Sequence, residues 1–304
     1  MTATATAPAH AHQAEWHPHD TAKGRVEAYH RDGVILARSV FSPLELEEIR
    51  ETFVSQLESG RGVMAHEDHV SSNDILARYP RFVHPHRHPD THAGVLARTH
   101  MVDDRLVSIV ESLVGPAYGA QSMFYFKPPT ARGQALHQDN NSLRAAPETC
   151  IAAWIAVDDA DEDNGGLLVI PRSHNSEIMC TEAADETQSF SNSQVKLPPG
   201  VASRAVQTRM KAGDVLFFHG ATVHGSHPNT TKDRFRRSLI FHYIPQASNE
   251  IYKFYQPLIR PRDGKEIWID DAAEGGPCGE GWREEGQGAF SAVETPPPVA
   301  IPAS

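Results

Sequence analysis

Apolar positions follow two regimes along the chain. In its first part they recur at helical spacing: "DRLVSIVESLV", residues 104–114, repeats every three to four positions and stops at Gly115-Pro116. Upstream, "RVEAYHRDGVILARSVFSPLELEEIRETFVSQLESG" predicts a helix, a short strand and a second helix. Ser42 before Pro43, with Glu45 three residues after the serine, marks the start of that second helix. From about residue 119 the pattern changes to short apolar or aromatic runs, "AQSMFYFKPP", "CIAAWIAVDD", "GGLLVIP", "DVLFFHG" and "RRSLIFHYIP", separated by Gly, Pro, Asn and Asp. No helical crossover of convincing length separates most of them. The expectation is therefore a mainly β protein with flanking helices, an antiparallel jelly roll or double-stranded β-helix of the cupin-like kind.

The same punctuation sets the expected organisation. A flexible tail over 1–25 precedes one domain over 26–287, whose jelly-roll core covers about 119–245, and a tail expected to be disordered covers 288–304. Residues 175–200 read as a polar loop inserted into the sheet region, and no internal repeat is present. No apolar run approaches the roughly 20 residues that a membrane span needs. The first twenty residues lack the apolar core of a secretory signal, so a cytoplasmic chain without a membrane partner is expected.

Composition narrows the partners. A formal net charge of −11 argues against nucleic acid, which demands clustered Lys and Arg, and leaves a small molecule as the expected partner. Three cysteines, Cys150, Cys180 and Cys278, are odd in number and widely spaced, suggesting neither a disulfide framework nor a zinc site. The 18 histidines cluster in "HAHQAEWHPH" and in "HPHRHPDTH", residues 84–92. The favoured reading of both is a mobile segment that tolerates histidine, ahead of a second metal site.

The candidate chemistry begins at "ALHQDNNSL", residues 135–143, which follows a strand-like run. Period-two geometry puts His137 and Asp139 on one face, able to meet one ion. "DVLFFHGATVHGSHPN" offers a third ligand in His219, His224 or His227. Two neutral imidazoles and one carboxylate on one side of a metal form the facial arrangement of non-heme Fe(II) oxygenases. A chelating keto acid would then need a cation for its distal carboxylate, best a guanidinium. "DRFRRSLIFHYI" supplies one in Arg236, with Ser238 on the same strand face and Arg237 on the other.

These segments, with "HQD", "AAWIAVDDADEDNGGLLVIPRSH" and "RFRRSLIFHY", resemble the phytanoyl-CoA dioxygenase family of Fe(II)- and 2-oxoglutarate-dependent oxygenases, which includes ectoine hydroxylase. The resemblance implies Fe(II) held by His137, Asp139 and His224, with 2-oxoglutarate and O2 as cosubstrates. It implies Arg236 and Ser238 at the distal carboxylate of 2-oxoglutarate, Arg237 being the alternative, and Lys127, Gln138 and Trp154 nearby. Gln121 is implied to face the substrate, and Asn140 and Asn141, standing where relatives often carry an aromatic residue, are expected to hydrogen-bond a polar substrate. Arg172 replaces a glycine that the family commonly has. Related halogenases carry a small residue in place of Asp139, so hydroxylation of a polar metabolite or natural-product intermediate is expected, with release of succinate and CO2. The rival readings are a zinc hydrolase using the same ligands and a non-catalytic binding protein on the same fold.

Overall fold

The structure, a computed structural model, describes residues 22–59, 71–272, 281–285 and 289–293. The helices are α1 (Ala22–Asp32), α2 (Pro43–Ser59), α3 (Ile75–Arg78), α4 (His92–Met101), α5 (Asp104–Val114) and α6 (Asn140–Leu143). The first strands are β1 (Val34–Ala37), β2 (Phe82–Val83), β3 (Ala117–Tyr125), β4 (Gln134–His137), β5 (Ile151–Ala156) and β6 (Leu167–Val169). There follow β7 (Thr181–Ala183), β8 (Ser193–Val195), β9 (Val206–Gln207), β10 (Val215–His219), β11 (His224–Ser226) and β12 (Ser238–Pro245). After these come β13 (Glu250–Ile251), β14 (Leu258–Ile259) and β15 (Glu266–Ile267). A larger sheet runs β1-β10-β5-β12-β3-β14-β15, with β2 also on β3, and a smaller one runs β4-β11-β6-β9. The pairings within both sheets are antiparallel, as the missing crossovers predict. No helix of the described residues is long and apolar enough to cross a membrane.

Why β5, β10 and β12 read as continuous apolar runs is now plain: both of their faces are buried. Strand alternation divides each run between two cores. Ile151, Ala153 and Ile155, with Val215, Phe217, Leu239 and Phe241, pack under the helices, where Phe53 of α2 stacks on Phe124 at 4.0 Å. Ala152, Trp154 and Ala156, with Leu216, Phe218 and Ile240, face the smaller sheet. Trp154 and Met123 both lie opposite Ile240, and Gln121 lies opposite His242. Each central strand therefore delivers every second residue to the space between the sheets.

The helix starts follow the sequence closely. Ser42 and Glu45 cap α2 reciprocally: the Ser42 amide donates to Glu45 Oε2 at 2.8 Å, and the Glu45 amide donates to Ser42 Oγ at 3.4 Å. Gly115 ends α5 at φ +77°, a conformation glycine adopts without penalty.

Several expectations need correction. The insertion at 175–200 is not only a loop, because β7 and β8 pair antiparallel within it. The helix α1 begins inside the span expected as a tail, and most of 1–25 and 288–304 lies outside the described residues. "HPHRHPDTH" is ordered structure rather than a mobile segment: His84 and His86 are buried, and His86 Nδ1 lies 2.6 Å from Ser122 Oγ. "HAHQAEWHPH" lies outside the described residues. Cys180 is disulfide-bonded although the cysteine spacing gave no sign of it, and Cys150 is a buried free thiol.

Candidate active site

His137 closes β4 and faces His224, its direct partner at the start of β11, with ring centroids 4.1 Å apart. Asp139 is not on the strand. It caps α6 with helical backbone angles, φ −61° and ψ −37°, and its carboxylate turns back toward the two rings. Its Oδ1 lies 3.5 Å from Nε2 of both His137 and His224. One candidate ligand atom from each residue lies within 4.8 Å of the others, and among the described residues no second such group of histidines, cysteines or carboxylates occurs.

This donor set fits a ferrous ion. His137 Nδ1 is 2.9 Å from the Ala135 carbonyl and His224 Nδ1 is 3.0 Å from the Thr222 carbonyl. A ring that donates from Nδ1 leaves the Nε2 lone pair for a metal, and the carbonyl fixes the ring's orientation. Burial pushes His224 down to about 4, so it is the neutral ligand form at neutral pH. Burial alone would raise the Asp139 carboxyl. The facing His224 and His242, with hydrogen bonds from His137 and His242, overcome that and hold it well below the usual range.

The triad lies at one end of a cavity of about 240 Å³. Trp154, Ile240, Leu167 and Phe218 wall it, and Arg236 reaches in at the other end. The Arg236 guanidinium sits 5.2 Å above the Trp154 ring, donates from Nε to the Gly165 carbonyl at 3.1 Å, and donates from Nη1 to Ser238 Oγ at 3.0 Å. Burial lowers it to about 10, which leaves it cationic at pH 7. Arg237 faces the other way, as strand alternation requires, and forms a two-pronged pair with Asp158 at 2.7 and 3.1 Å.

The remaining expected residues divide. Gln121 and Trp154 line the cavity. Lys127 is fully buried but lies behind Arg236: its ammonium donates to Ser226 Oγ at 2.8 Å and to the His227 carbonyl at 2.5 Å, tying down the end of β11. Burial and the neighbouring Arg236 lower it far from the usual lysine range. A side chain at Gly165, where φ is +76°, would strike that lysine, so glycine is required there.

Three assignments are corrected. Gln138 does not line the cavity: it follows the end of β4, and its side chain is held by the backbone beside β11 and the insertion. Its amide donates to the Ala221 carbonyl at 2.8 Å and accepts from the Met179 amide at 2.8 Å, fastening the insertion to the sheet. Asn140 closes its own turn, exchanging two 3.0 Å bonds with the Ala145 backbone. Neither it nor Asn141 lines the cavity, and the turn of α6 brings Ser142 and Leu143 there instead. His219 is also remote from the triad, its ring packed near Tyr29 and His174, and His227 is exposed.

Sequence reasoning missed the most telling neighbour. His242 on β12 is buried, with Nε2 3.0 Å from Asp139 Oδ2. Met123 and Tyr125 line the same wall, and their alternation with Gln121 along β3 was the available signal.

Comparison with known proteins gives this geometry a family. The phytanoyl-CoA dioxygenase (PhyH) family model matches residues 29–238, more than half of the chain. The chain belongs to that family of Fe(II)- and 2-oxoglutarate-dependent oxygenases. "Phytanoyl-CoA dioxygenase 1" of Oryza sativa subsp. japonica is 33% identical over 125 residues, covering 41% of this chain and 43% of the rice protein. The chain thus spans less than half the length of that relative. A "Probable phytanoyl-CoA dioxygenase" of Caenorhabditis elegans is 25% identical over 240 residues, 71% of this chain and 72% of that protein. Among solved structures, EctD from S. alaskensis with 2-oxoglutarate and 5-hydroxyectoine aligns at a TM-score of 0.58 and 21% identity, over 77% of this chain and 80% of that one. The epimerase SnoN with Fe3+, alpha ketoglutarate and nogalamycin RO aligns at 0.57 and 22%, over 75% and 85%. At such identities the likeness is one of fold, the jelly roll expected from the strand pattern.

Proposed function

We propose that this chain is an Fe(II)- and 2-oxoglutarate-dependent dioxygenase that hydroxylates a small polar metabolite or natural-product intermediate, releasing succinate and CO2. One observation carries the reading: a single cavity has His137, Asp139 and His224 at one end and the Arg236 guanidinium at the other. Bound Fe(II), 2-oxoglutarate and O2 supply the oxidising chemistry, which no side chain of the cavity can provide.

The chain's own residues bind and orient. His137 and His224 offer Nε2 lone pairs and Asp139 an anionic oxygen, all from one side, so the cavity side stays open. Arg236 grips the distal carboxylate of 2-oxoglutarate, and Trp154, Ser238 and the Gly165 carbonyl fix the guanidinium plane beforehand. Lys127 holds the end of the strand that carries His224, through Ser226 Oγ and the His227 carbonyl. Leu167, Phe218 and Ile240 keep the span between metal and clamp apolar. Gln121 and Ser142 offer hydrogen bonds beside Val83, Met123 and Phe254, which supports a substrate with both polar and apolar faces. The small cavity, and the small molecules named with EctD and SnoN, favour a metabolite over a macromolecule.

A zinc hydrolase using the same ligands would have no use for a buried guanidinium aimed into the cavity, and a non-catalytic binding protein would have no need of the complete His137, Asp139 and His224 set. Ferrous iron, ascorbate and 2-oxoglutarate in an oxygen electrode test the reading directly. Oxygen uptake with succinate formation is expected, even at the slow rate of turnover without substrate. Zinc-dependent ester or amide hydrolysis with no succinate would reject it.

A further inference from the structure

Asp139 presents two oxygens with different surroundings. Oδ1 lies 3.5 Å from each of the His137 and His224 Nε2 atoms, whereas Oδ2 lies 3.0 Å from His242 Nε2 and away from the triad's centre. His242 is 4% exposed and stands opposite Ala152 and Gln121 in the sheet. Its other ring nitrogen, Nδ1, is buried and has no hydrogen-bond partner among the described residues. A proton on Nδ1 would be stranded without an acceptor. The geometry therefore makes Nε2 the nitrogen that donates, to Oδ2 at 3.0 Å.

That bond decides how the carboxylate can meet a metal. A free aspartate can offer one oxygen or both, and the second would occupy another coordination position. We propose that His242 is a positioning residue, holding Asp139 in one-oxygen ligation through Oδ1 and so keeping a metal position open for the cosubstrates. The proposal rests on the metal-centre reading above. His242 contributes no ligand atom itself. It acts from a central strand buried on both faces, so the carboxylate is fixed by the sheet rather than by the short helix that carries it.

Metal binding tests this without turnover. Co(II), an oxygen-stable stand-in, is titrated into metal-free protein by calorimetry, and its visible absorption reports coordination number. Loss of a hydrogen-bonding partner of a metal ligand typically weakens affinity about 10–100-fold. His242→Leu should show a loss of that size together with a changed Co(II) spectrum. His242→Gln, whose amide can donate to Oδ2, should recover most of the affinity and the native spectrum. Thermal melts of the metal-free proteins check folding, and His242→Met replaces the leucine variant if that one does not fold. Leucine or methionine variants with native affinity and spectrum would overturn the proposal. So would a glutamine variant as impaired as leucine, because donation to Oδ2 would then not be what matters. Failure of the unmodified protein to bind Co(II) would instead overturn the metal-centre reading, and the proposal with it.

Discussion

Arg237 closes a two-pronged ion pair with Asp158, at 2.7 and 3.1 Å, on the face of the sheet opposite the cavity. Its neighbour Arg236 has no carboxylate partner among the described residues and lies over Trp154 inside the cavity. Adjacent arginines thus have separate tasks, set by strand alternation alone. Removing a guanidinium from a buried pair with a ligand carboxylate costs on the order of 2–5 kcal/mol. Arg236→Ala should raise the 2-oxoglutarate requirement at least tenfold with little change in iron affinity. Arg237→Ala should lower the unfolding midpoint and leave that requirement near native. Steady-state titration of 2-oxoglutarate on both variants separates them, and the reverse pattern would move the clamp by one residue.

The triad gives a matched set of substitutions. His137→Ala and His224→Ala each leave two ligands, too few to hold a labile ferrous ion, so iron binding and turnover should both disappear. His219→Ala removes a ring that packs near Tyr29 and His174, and should leave iron binding intact. Iron titration of the three proteins is the check. A damaging His219→Ala with an innocuous His224→Ala would refute the choice of distal ligand.

Legibility in the sequence followed the range of each interaction. Strands β3, β5, β10 and β12 announced themselves because burial on both faces makes them mostly apolar. His137, Asp139 and Arg236 were legible through spacing and resemblance together. His242 was not: it is one of 18 histidines, and its partner Asp139 is 103 residues away along the chain. Gln138 could not be placed by alternation, because the chain leaves β4 at His137 and turns into α6 at Asp139. Arg172, where the resemblance led glycine to be expected, adopts φ +69°, in the left-handed region that favours glycine. Cys180 and the pairing of β7 with β8 left no local signal.

Gln138 should therefore behave as an anchor. Gln138→Leu strands the Ala221 carbonyl and the Met179 amide, both now satisfied at 2.8 Å. Leaving buried polar groups unpaired costs about 1–3 kcal/mol. Chemical denaturation should show a loss in that range, and hydrogen exchange should quicken around residues 176–181. Metal affinity should stay within a few-fold of native, since no ligand is touched. A large loss of metal affinity without faster exchange would return Gln138 to the site.

The last prediction concerns acid stability and lies far from the cavity. Glu45, capping α2, is lowered from 4.5 to about 2, chiefly by the hydrogen bond from Arg105, with Ser42 adding to it and burial opposing it. A carboxylate depressed in the folded state favours folding fully above its unfolded value, and loses that contribution as pH falls through the folded one. The window therefore runs from about pH 4.5 down to about pH 2. Arg105 is 42% exposed, so solvent screening holds the effect to on the order of 1 kcal/mol. Glu45→Gln should thus destabilise the protein at pH 7 and lose that penalty progressively toward pH 2. Urea unfolding of both proteins across this range measures the difference. A gap between them that stays constant with pH would mean that Glu45 acts through packing or neutral hydrogen bonding, and that its charge contributes nothing.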